Sequence, residues 1–200
     1  MEPYLFHGFR DYNVETVYKV LESGFILPRK MITNGAKTDC NNIFNGNAWI
    51  SLSQKSLVEE HALRRGFREC YSEWITDHLC VVIKNGIEGI MYTDYVDRDE
   101  CYSSWRKKNV YDENPRRFSY YLDEVQTNVP VPTSSFLAIG YPIYHFSAVK
   151  SLEDIEKDIE GIYLLLESKG LDIPVLNSSL ENFADTKEDM IKSKIKRPEK

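Results

Sequence analysis

The sequence feature that most constrains the fold is a regular apolar repeat over residues 151–169. Its apolar residues recur at spacings of three and four, which is the period of one face of an α-helix; they are Leu152, Ile155, Ile159, Ile162 and Leu166. Ser151 is a typical N-cap residue, and Gly170 is typical of the position that ends a helix. A helix with one apolar face has to bury it against another element, so the rest of the chain must supply a second layer.

Short apolar and aromatic segments predict that this second layer is a β-sheet. The segments predicted as strands are residues 4–9, 48–53, 79–83, 123–127 and 136–144. Residues 79–83 are apolar without interruption, which is typical of a buried strand. A second helix is predicted over residues 14–21, with Asn13 as its cap and Gly24 at its end, and a third is predicted to begin at Ser56. This order of elements favours an α+β fold with short mixed or antiparallel sheets and flanking helices.

Composition and charge argue against several classes of function. The 200 residues suit one domain with a helical appendage. The formal net charge of −6 disfavours broad, nonspecific binding to nucleic acid, which relies on neutralising phosphates. The four cysteines have no spacing typical of a zinc site, and in a chain of this length they are typical of a reduced protein. No segment is long and apolar enough to span a membrane, so we expect a cytoplasmic protein without a membrane partner.

Four segments carry a family resemblance. In chain order they are residues 5–9 (LFHGF), 21–29 (LESGFILPR), 47–53 (NAWISLS) and 121–126 (YLDEVQ). Together they resemble an ADP-ribosyltransferase-like domain, and most of all the small bacterial or phage members of that fold. The resemblance implies an NAD-binding domain over residues 1–148. Residues 149–200 are then expected to form a C-terminal helical extension packed on the same domain, with a flexible tail from about residue 187.

The resemblance also implies roles for individual residues. Glu124 matches the catalytic carboxylate of the family. His7 matches the residue that anchors the adenine-side ribose of NAD, and Gly8 matches the residue whose backbone holds the nicotinamide amide. Ser51 matches the residue that shapes the nicotinamide pocket, and Ser53 matches a supporting second serine.

These residue types suit the chemistry of cleaving NAD. Breaking the bond between nicotinamide and ribose builds positive charge on the sugar. A carboxylate at Glu124 stabilises that charge and can take a proton from the incoming nucleophile. His7 can bind a ribose hydroxyl through one ring nitrogen, and Gly8 lets the nicotinamide amide approach the backbone closely. Arg29 matches an arginine that some members use for phosphate, and its guanidinium can make a forked contact with pyrophosphate.

The pattern departs from the arginine-modifying members of the family. Those members carry Glu or Gln two places before the catalytic Glu, where this chain has Leu122. Gln126 stands two places after Glu124 instead; on a strand it shares a face with Glu124, where it could position a substrate. Asp123 is expected to lie on the other face and to be structural. The group that accepts the ADP-ribose is therefore left open.

The sequence thus predicts a mono-ADP-ribosyltransferase that uses NAD as its substrate, needs no metal and releases nicotinamide. Its acceptor is expected to be a macromolecule, and the negative net charge slightly favours protein over nucleic acid. Two alternatives stay open. One is an NAD glycohydrolase, in which water replaces the acceptor, and the other is an inactive module of the same fold that binds a nucleotide or a partner. The resemblance further implies a toxin or effector. Some members of the family are delivered into a target cell.

Overall fold

The structure is a computed structural model, which describes part of the chain. The described residues are 4–9, 13–27, 50–54, 78–84, 87, 90–93, 111–112, 124–127, 129–180, 183–184 and 186–198. They form strands and helices together, so the predicted α+β class is confirmed. The helix predicted to begin at Ser56 lies outside these ranges.

The described strands are mostly short. They are β1 (Leu5–Gly8), β2 (Phe25–Ile26), β3 (Ile50–Gln54), β4 (Cys80–Ile83), β5 (Ile90–Thr93), β6 (Tyr111–Asp112), β7 (Glu124–Thr127), β8 (Val131–Pro132), β9 (Phe136–Tyr141) and β10 (Val175–Asn177). The described helices are α1 (Glu15–Ser23), α2 (Ile143–Ser147), α3 (Leu152–Ser168) and α4 (Lys187–Lys192). Within these ranges, no helix combines the length and the apolar character that crossing a lipid bilayer demands.

The chain divides into two compact units, each assembled from separate stretches of sequence. The first unit comprises residues 1–5, 26–69 and 85–131, and the second comprises residues 6–25, 70–84 and 132–200. Neither unit is a continuous piece of chain, so the division follows the packing of the strands and helices and not their order in the sequence.

The first unit contains an antiparallel sheet with the strand order β3-β7-β5-β6. Strand β7 lies in the middle, pairing with β3 on one side and with β5 on the other. Ile50, Leu52 and Thr127 are all buried, and Ile50 pairs directly with Thr127. Directly opposite residues of an antiparallel pair share a face, so these three mark the core face of the sheet.

The second unit contains a mixed sheet with the strand order β10-β9-β4-β1. Strand β4 is antiparallel to β9, and β10 is parallel to β9. Every residue of β4 is buried, which confirms the prediction of a buried strand at the apolar run 79–83. Gly140 on β9 allows the two strands to pack closely, because a Cβ atom there would lie 2.4 Å from the Cys80 Sγ.

Helix α3 confirms the strongest helix prediction. Its buried residues are Ile155, Ile159, Ile162 and Leu166, as the apolar repeat requires. Leu152, at the start of the same repeat, is 70% exposed, so the buried face of the helix begins at Ile155. The Ser151 side chain accepts a hydrogen bond from the Asp154 N–H, and Gly170 has a φ of 64°, so both predicted ends are confirmed.

Helix α1 packs against α3 through a glycine. A Cβ atom at Gly161 would lie 2.1 Å from the Tyr18 hydroxyl oxygen, so only glycine admits the tyrosine ring at this distance. The Asn13 Oδ1 accepts a hydrogen bond from the Glu15 N–H at 3.0 Å, and Gly24 ends α1 with a φ of 79°. Both ends of this helix therefore agree with the sequence prediction.

The C-terminal stretch contains more than a helix. For residues 149–200 the sequence predicts a helical extension with a flexible tail from about residue 187. The structure adds strand β10 after α3, and the residues from Lys187 form α4, whose cap is Thr186. After α4, the Ile195 N–H donates to the Val175 carbonyl at 2.8 Å, and Arg197 forms a two-bond contact with the Glu160 carboxylate.

Candidate active site

Four of the predicted site residues lie on two paired strands of the first unit. Ser51 and Ser53 are on β3, and Glu124 and Gln126 are on β7. The register pairs Ser51 with Gln126 and Ser53 with Glu124. Directly opposite residues of an antiparallel pair lie about 5 Å apart between Cα atoms. The fold thus brings together residues that are more than 70 positions apart in the sequence.

These four positions share the face of the sheet opposite to the core face. Ile50 and Leu52 alternate with the two serines along β3, and both are buried. Because successive strand residues alternate between faces, Ser51 and Ser53 occupy the other face. The pairing with β7 assigns Glu124 and Gln126 to that same face. The register therefore makes Ser53 and Glu124, and likewise Ser51 and Gln126, neighbours across the two strands.

The end of β7 is fixed by Thr127. This residue is fully buried, and its Oγ1 accepts a hydrogen bond from the Val129 N–H at 3.1 Å. The bond satisfies a backbone donor where the strand ladder ends, which stabilises the turn toward Pro130. Anchoring Thr127 on the core face holds the register of β7, and the register determines which β3 residues stand opposite Glu124 and Gln126.

His7 and Gly8 lie on β1, and both belong to the second unit. Leu5 and Phe6, which precede them on the strand, are buried, whereas His7 is half-buried. The His7 ring meets the Phe9 ring edge-on, with 5.1 Å between the ring centroids. An edge contact of this kind restrains the orientation of the imidazole. Arg29 lies outside the described residues, as do Leu122 and Asp123.

The second unit holds a polar network for which no function was predicted from the sequence. Asp158 on α3 accepts hydrogen bonds from the Tyr141 hydroxyl at 2.7 Å and from the Lys150 ammonium group. The Tyr18 hydroxyl donates to the Asp158 backbone carbonyl at 3.1 Å. The Lys150 Nζ also lies 4.8 Å from the centroid of the Phe146 ring. In the sequence, the one sign of this network is Asp158 itself, a charged residue within the apolar repeat of α3.

The two tyrosines of this network stay protonated at neutral pH. Burial, aided by the negative charge of Asp158, raises the pKa of Tyr18 to about 12. The pKa of Tyr141 is raised further, first by burial and then by its hydrogen bond to Asp158. Neither tyrosine is therefore suited to act as a general base near neutral pH, and the network connects α1, β9 and α3 as a structural element.

Two further buried groups lie beside Gly140. Burial raises the pKa of the Cys80 thiol to about 12, so this cysteine is protonated and a poor nucleophile at neutral pH. The Ser178 Oγ is buried and has no hydrogen-bond partner among the described residues. In that same part of the chain, no group of three or more His, Cys, Asp or Glu residues is arranged to hold a metal ion.

Comparison with known proteins finds no relative of this chain. The chain matches no family model and no curated protein sequence.

Proposed function

We propose that the chain is an NAD-dependent mono-ADP-ribosyltransferase with an ADP-ribosyltransferase-like fold. It transfers ADP-ribose from NAD to a macromolecular acceptor, a protein, and releases nicotinamide. One observation carries the proposal: Ser53 stands opposite Glu124 and Ser51 stands opposite Gln126 on the face away from the core. Ser51, Ser53 and Glu124 match site positions of the family, and Gln126 is where the chain departs from the arginine-modifying pattern.

The proposed chemistry centres on Glu124. As the bond between nicotinamide and ribose lengthens, positive charge develops on the sugar, and a carboxylate at Glu124 stabilises it. Ser51 lines the nicotinamide side in this proposal, and Ser53 positions the carboxylate from the neighbouring strand. The same carboxylate then takes the proton of the incoming nucleophile. Gln126, beside Glu124 on the same face, positions the substrate.

The remaining roles follow the family resemblance. His7 binds a ribose hydroxyl, and its edge contact with Phe9 supports that role by restraining the ring. The Gly8 backbone holds the nicotinamide amide, and Arg29 binds the pyrophosphate. The cytoplasm of the producing cell or of a target cell supplies NAD, so a toxin or effector of this kind acts in that compartment.

The proposal is tested by incubating the purified chain with NAD labelled in its adenylate part and a bacterial lysate. We expect nicotinamide release together with label that sediments with macromolecules and is removed by protease. Glu124→Gln should abolish both signals. Asp123→Asn is the matched control, because it makes the same carboxylate-to-amide change at the next position and should retain activity.

The other outcomes separate the alternatives. Free ADP-ribose without labelled macromolecules would identify an NAD glycohydrolase. Binding of NAD without turnover, unchanged by Glu124→Gln, would identify an inactive binding module. If the wild-type chain neither binds NAD nor releases nicotinamide with lysate present, the proposed function is wrong.

A further inference from the structure

The C-terminal tail lies along one edge of the mixed sheet of the second unit. Strand β10 ends the described strand order and pairs with β9 on one side. Residues 193–195 run antiparallel along its other side and form a single β-bridge with it. There the Asn177 N–H donates to the Ser193 carbonyl at 2.8 Å, and the Ile195 N–H donates to the Val175 carbonyl at 2.8 Å. The tail therefore satisfies the backbone groups that β10 would otherwise present at an open sheet edge.

Polar contacts hold the tail in this place. Ser193 is the one buried residue of the stretch 186–198, so the tail buries no apolar side chain completely. The Tyr163 hydroxyl on α3 donates to the Ile195 carbonyl, which adds one more hydrogen bond. Because complete burial of apolar side chains supplies most of the stability of a strand or helix, we expect the tail to detach more readily than β9 or β10.

Arg197 is the one residue of the tail that makes a specific charged contact with α3. Its Nε and Nη2 donate to the two carboxylate oxygens of Glu160, each at 2.8 Å, and its Nη1 donates to Glu167 at 3.1 Å. This forked contact matches the planar guanidinium group and cannot be reproduced by a lysine. Arg197 stands two places after Ile195, which bonds to β10. The site therefore suits an extended segment with an arginine at that spacing.

We propose that the edge of β10 together with Glu160 and Glu167, here called the β10 edge site, binds an extended basic segment of another protein. Residues 193–197 occupy the β10 edge site as an intramolecular ligand. Backbone bonds to a sheet edge accept many sequences, so the two carboxylates provide the selection for arginine. Direct pairing with the β10 edge of a second copy is disfavoured, because it would remove Arg197 from both carboxylates and supply no cation in its place. The inference is independent of NAD cleavage.

The first test measures binding of a peptide with the sequence of residues 193–198, amidated and fluorescently labelled at its N-terminus, to the full chain. The wild-type chain should bind the peptide weakly, because its own tail competes at a high effective concentration. Arg197→Ala loosens that tail, so fluorescence anisotropy should show binding about fivefold tighter, as expected for loss of a partly exposed ion pair. A peptide with alanine in place of its arginine should bind the same variant about fivefold more weakly.

Two further variants of Arg197→Ala locate the binding on α3. Adding Glu160→Gln removes a carboxylate of the β10 edge site and should weaken peptide binding about fivefold. Adding Glu153→Gln is the matched control, because it makes the same change on the same helix. The Glu153 side chain is 76% exposed and pairs with Lys157, so its replacement should leave peptide binding unchanged.

Amide hydrogen exchange of the wild-type chain tests the same site without any substitution. A saturating amount of the peptide should speed exchange at Ile195, because the tail leaves, while Asn177 stays protected by the peptide backbone.

Three results would overturn the inference. In the first, the peptide fails to bind or leaves exchange at Ile195 unchanged. In the second, the alanine peptide binds as tightly as the arginine peptide. In the third, Arg197→Ala sediments as a dimer without peptide, which would assign the β10 edge to a second copy.

Discussion

Two adjacent serines give the sharpest contrast at the scale of single residues. Ser178 is fully buried, and its Oγ has no hydrogen-bond partner within the described residues. The Oγ of Ser179 accepts a hydrogen bond from the Tyr144 N–H at 2.9 Å. A buried hydroxyl without a partner lowers the free energy of unfolding, whereas a hydroxyl that makes a hydrogen bond raises it.

We therefore expect opposite effects from the same substitution at neighbouring positions. Ser178→Ala should raise the free energy of unfolding by about 1 kcal/mol, because it removes an unsatisfied buried hydroxyl. Ser179→Ala should lower that free energy by about 1 kcal/mol, because the Tyr144 N–H loses its acceptor. Urea unfolding of the two variants and the wild type measures both values. Destabilisation of the Ser178 variant would show that its hydroxyl has a partner.

Helix ends are predictable from the sequence where the signal is local. The sequence predicts helix ends at Ser151, Asn13 and Gly24 from their own side chains or backbone freedom, and the structure agrees. Leu152 was assigned to the buried face of α3 but is exposed, because periodicity cannot show where the covering surface ends. No local feature of the sequence indicates that the Ser178 hydroxyl lacks a hydrogen-bond partner, because its surroundings come from distant segments.

At the scale of elements, the tyrosines around Asp158 connect α1, β9 and α3. Each tyrosine has a folded-state pKa above the ordinary value of 10, about 12 for Tyr18. The folded chain therefore holds these protons at a pH where the unfolded chain releases them. The stability that they contribute is complete below pH 10. The contribution of Tyr18 is lost as the pH rises from about 10 toward 12, and that of Tyr141 continues to fall at higher pH.

The expected result is a fall in the free energy of unfolding as the pH rises above about 10. The double variant Tyr18→Phe and Tyr141→Phe should show a shallower fall, because it lacks both shifted groups. Tyr144→Phe, whose side chain is 74% exposed, is the control and should follow the wild type. Denaturant unfolding at a series of pH values gives the curves, and identical slopes for the double variant and the wild type would contradict the account.

The tail after residue 187 provides a second test at this scale. Thr186 caps α4 by accepting a hydrogen bond from the Asp189 N–H at 3.1 Å, and the Ile195 N–H donates to the Val175 carbonyl. Amide hydrogen exchange should show protection at Ile195 and in α4. Thr186→Ala should speed exchange in α4, since a lost cap costs about 1 kcal/mol, and Thr186→Ser should retain the protection. Complete exchange of the tail within seconds would support the flexible tail that the sequence predicts.

At the scale of the whole molecule, the sequence indicates the kinds of elements but not their pairing. Strands β3 and β7 were both predicted, yet nothing local in either segment shows that Ser53 stands opposite Glu124. Strand β10 was missed because three residues give too short a pattern, and its pairing with β9 depends on the whole sheet. Long-range pairing is a property of the fold. The sequence therefore predicts the individual residues of the candidate site but not which of them lie opposite one another.

The distribution of charge also belongs to this scale. The formal net charge is −6, but the stretches that make up the first unit carry nearly equal numbers of acidic and basic residues. The excess of negative charge therefore comes mainly from the stretches of the second unit. The unit that carries Glu124 has no surplus of positive charge to neutralise phosphates, which is consistent with the proposed protein acceptor.

The most direct test of the account is the rate of nicotinamide release from NAD by the wild-type chain, by Glu124→Gln and by Asp123→Asn, with lysate present. Loss of the carboxylate that stabilises the developing charge should slow release by about 10²–10³-fold in Glu124→Gln. Asp123→Asn should remain within a few-fold of the wild type, and circular dichroism should show that both variants are folded. Equal rates for Glu124→Gln and the wild type, or no release by the wild type, would contradict the assignment of Glu124 as the catalytic residue.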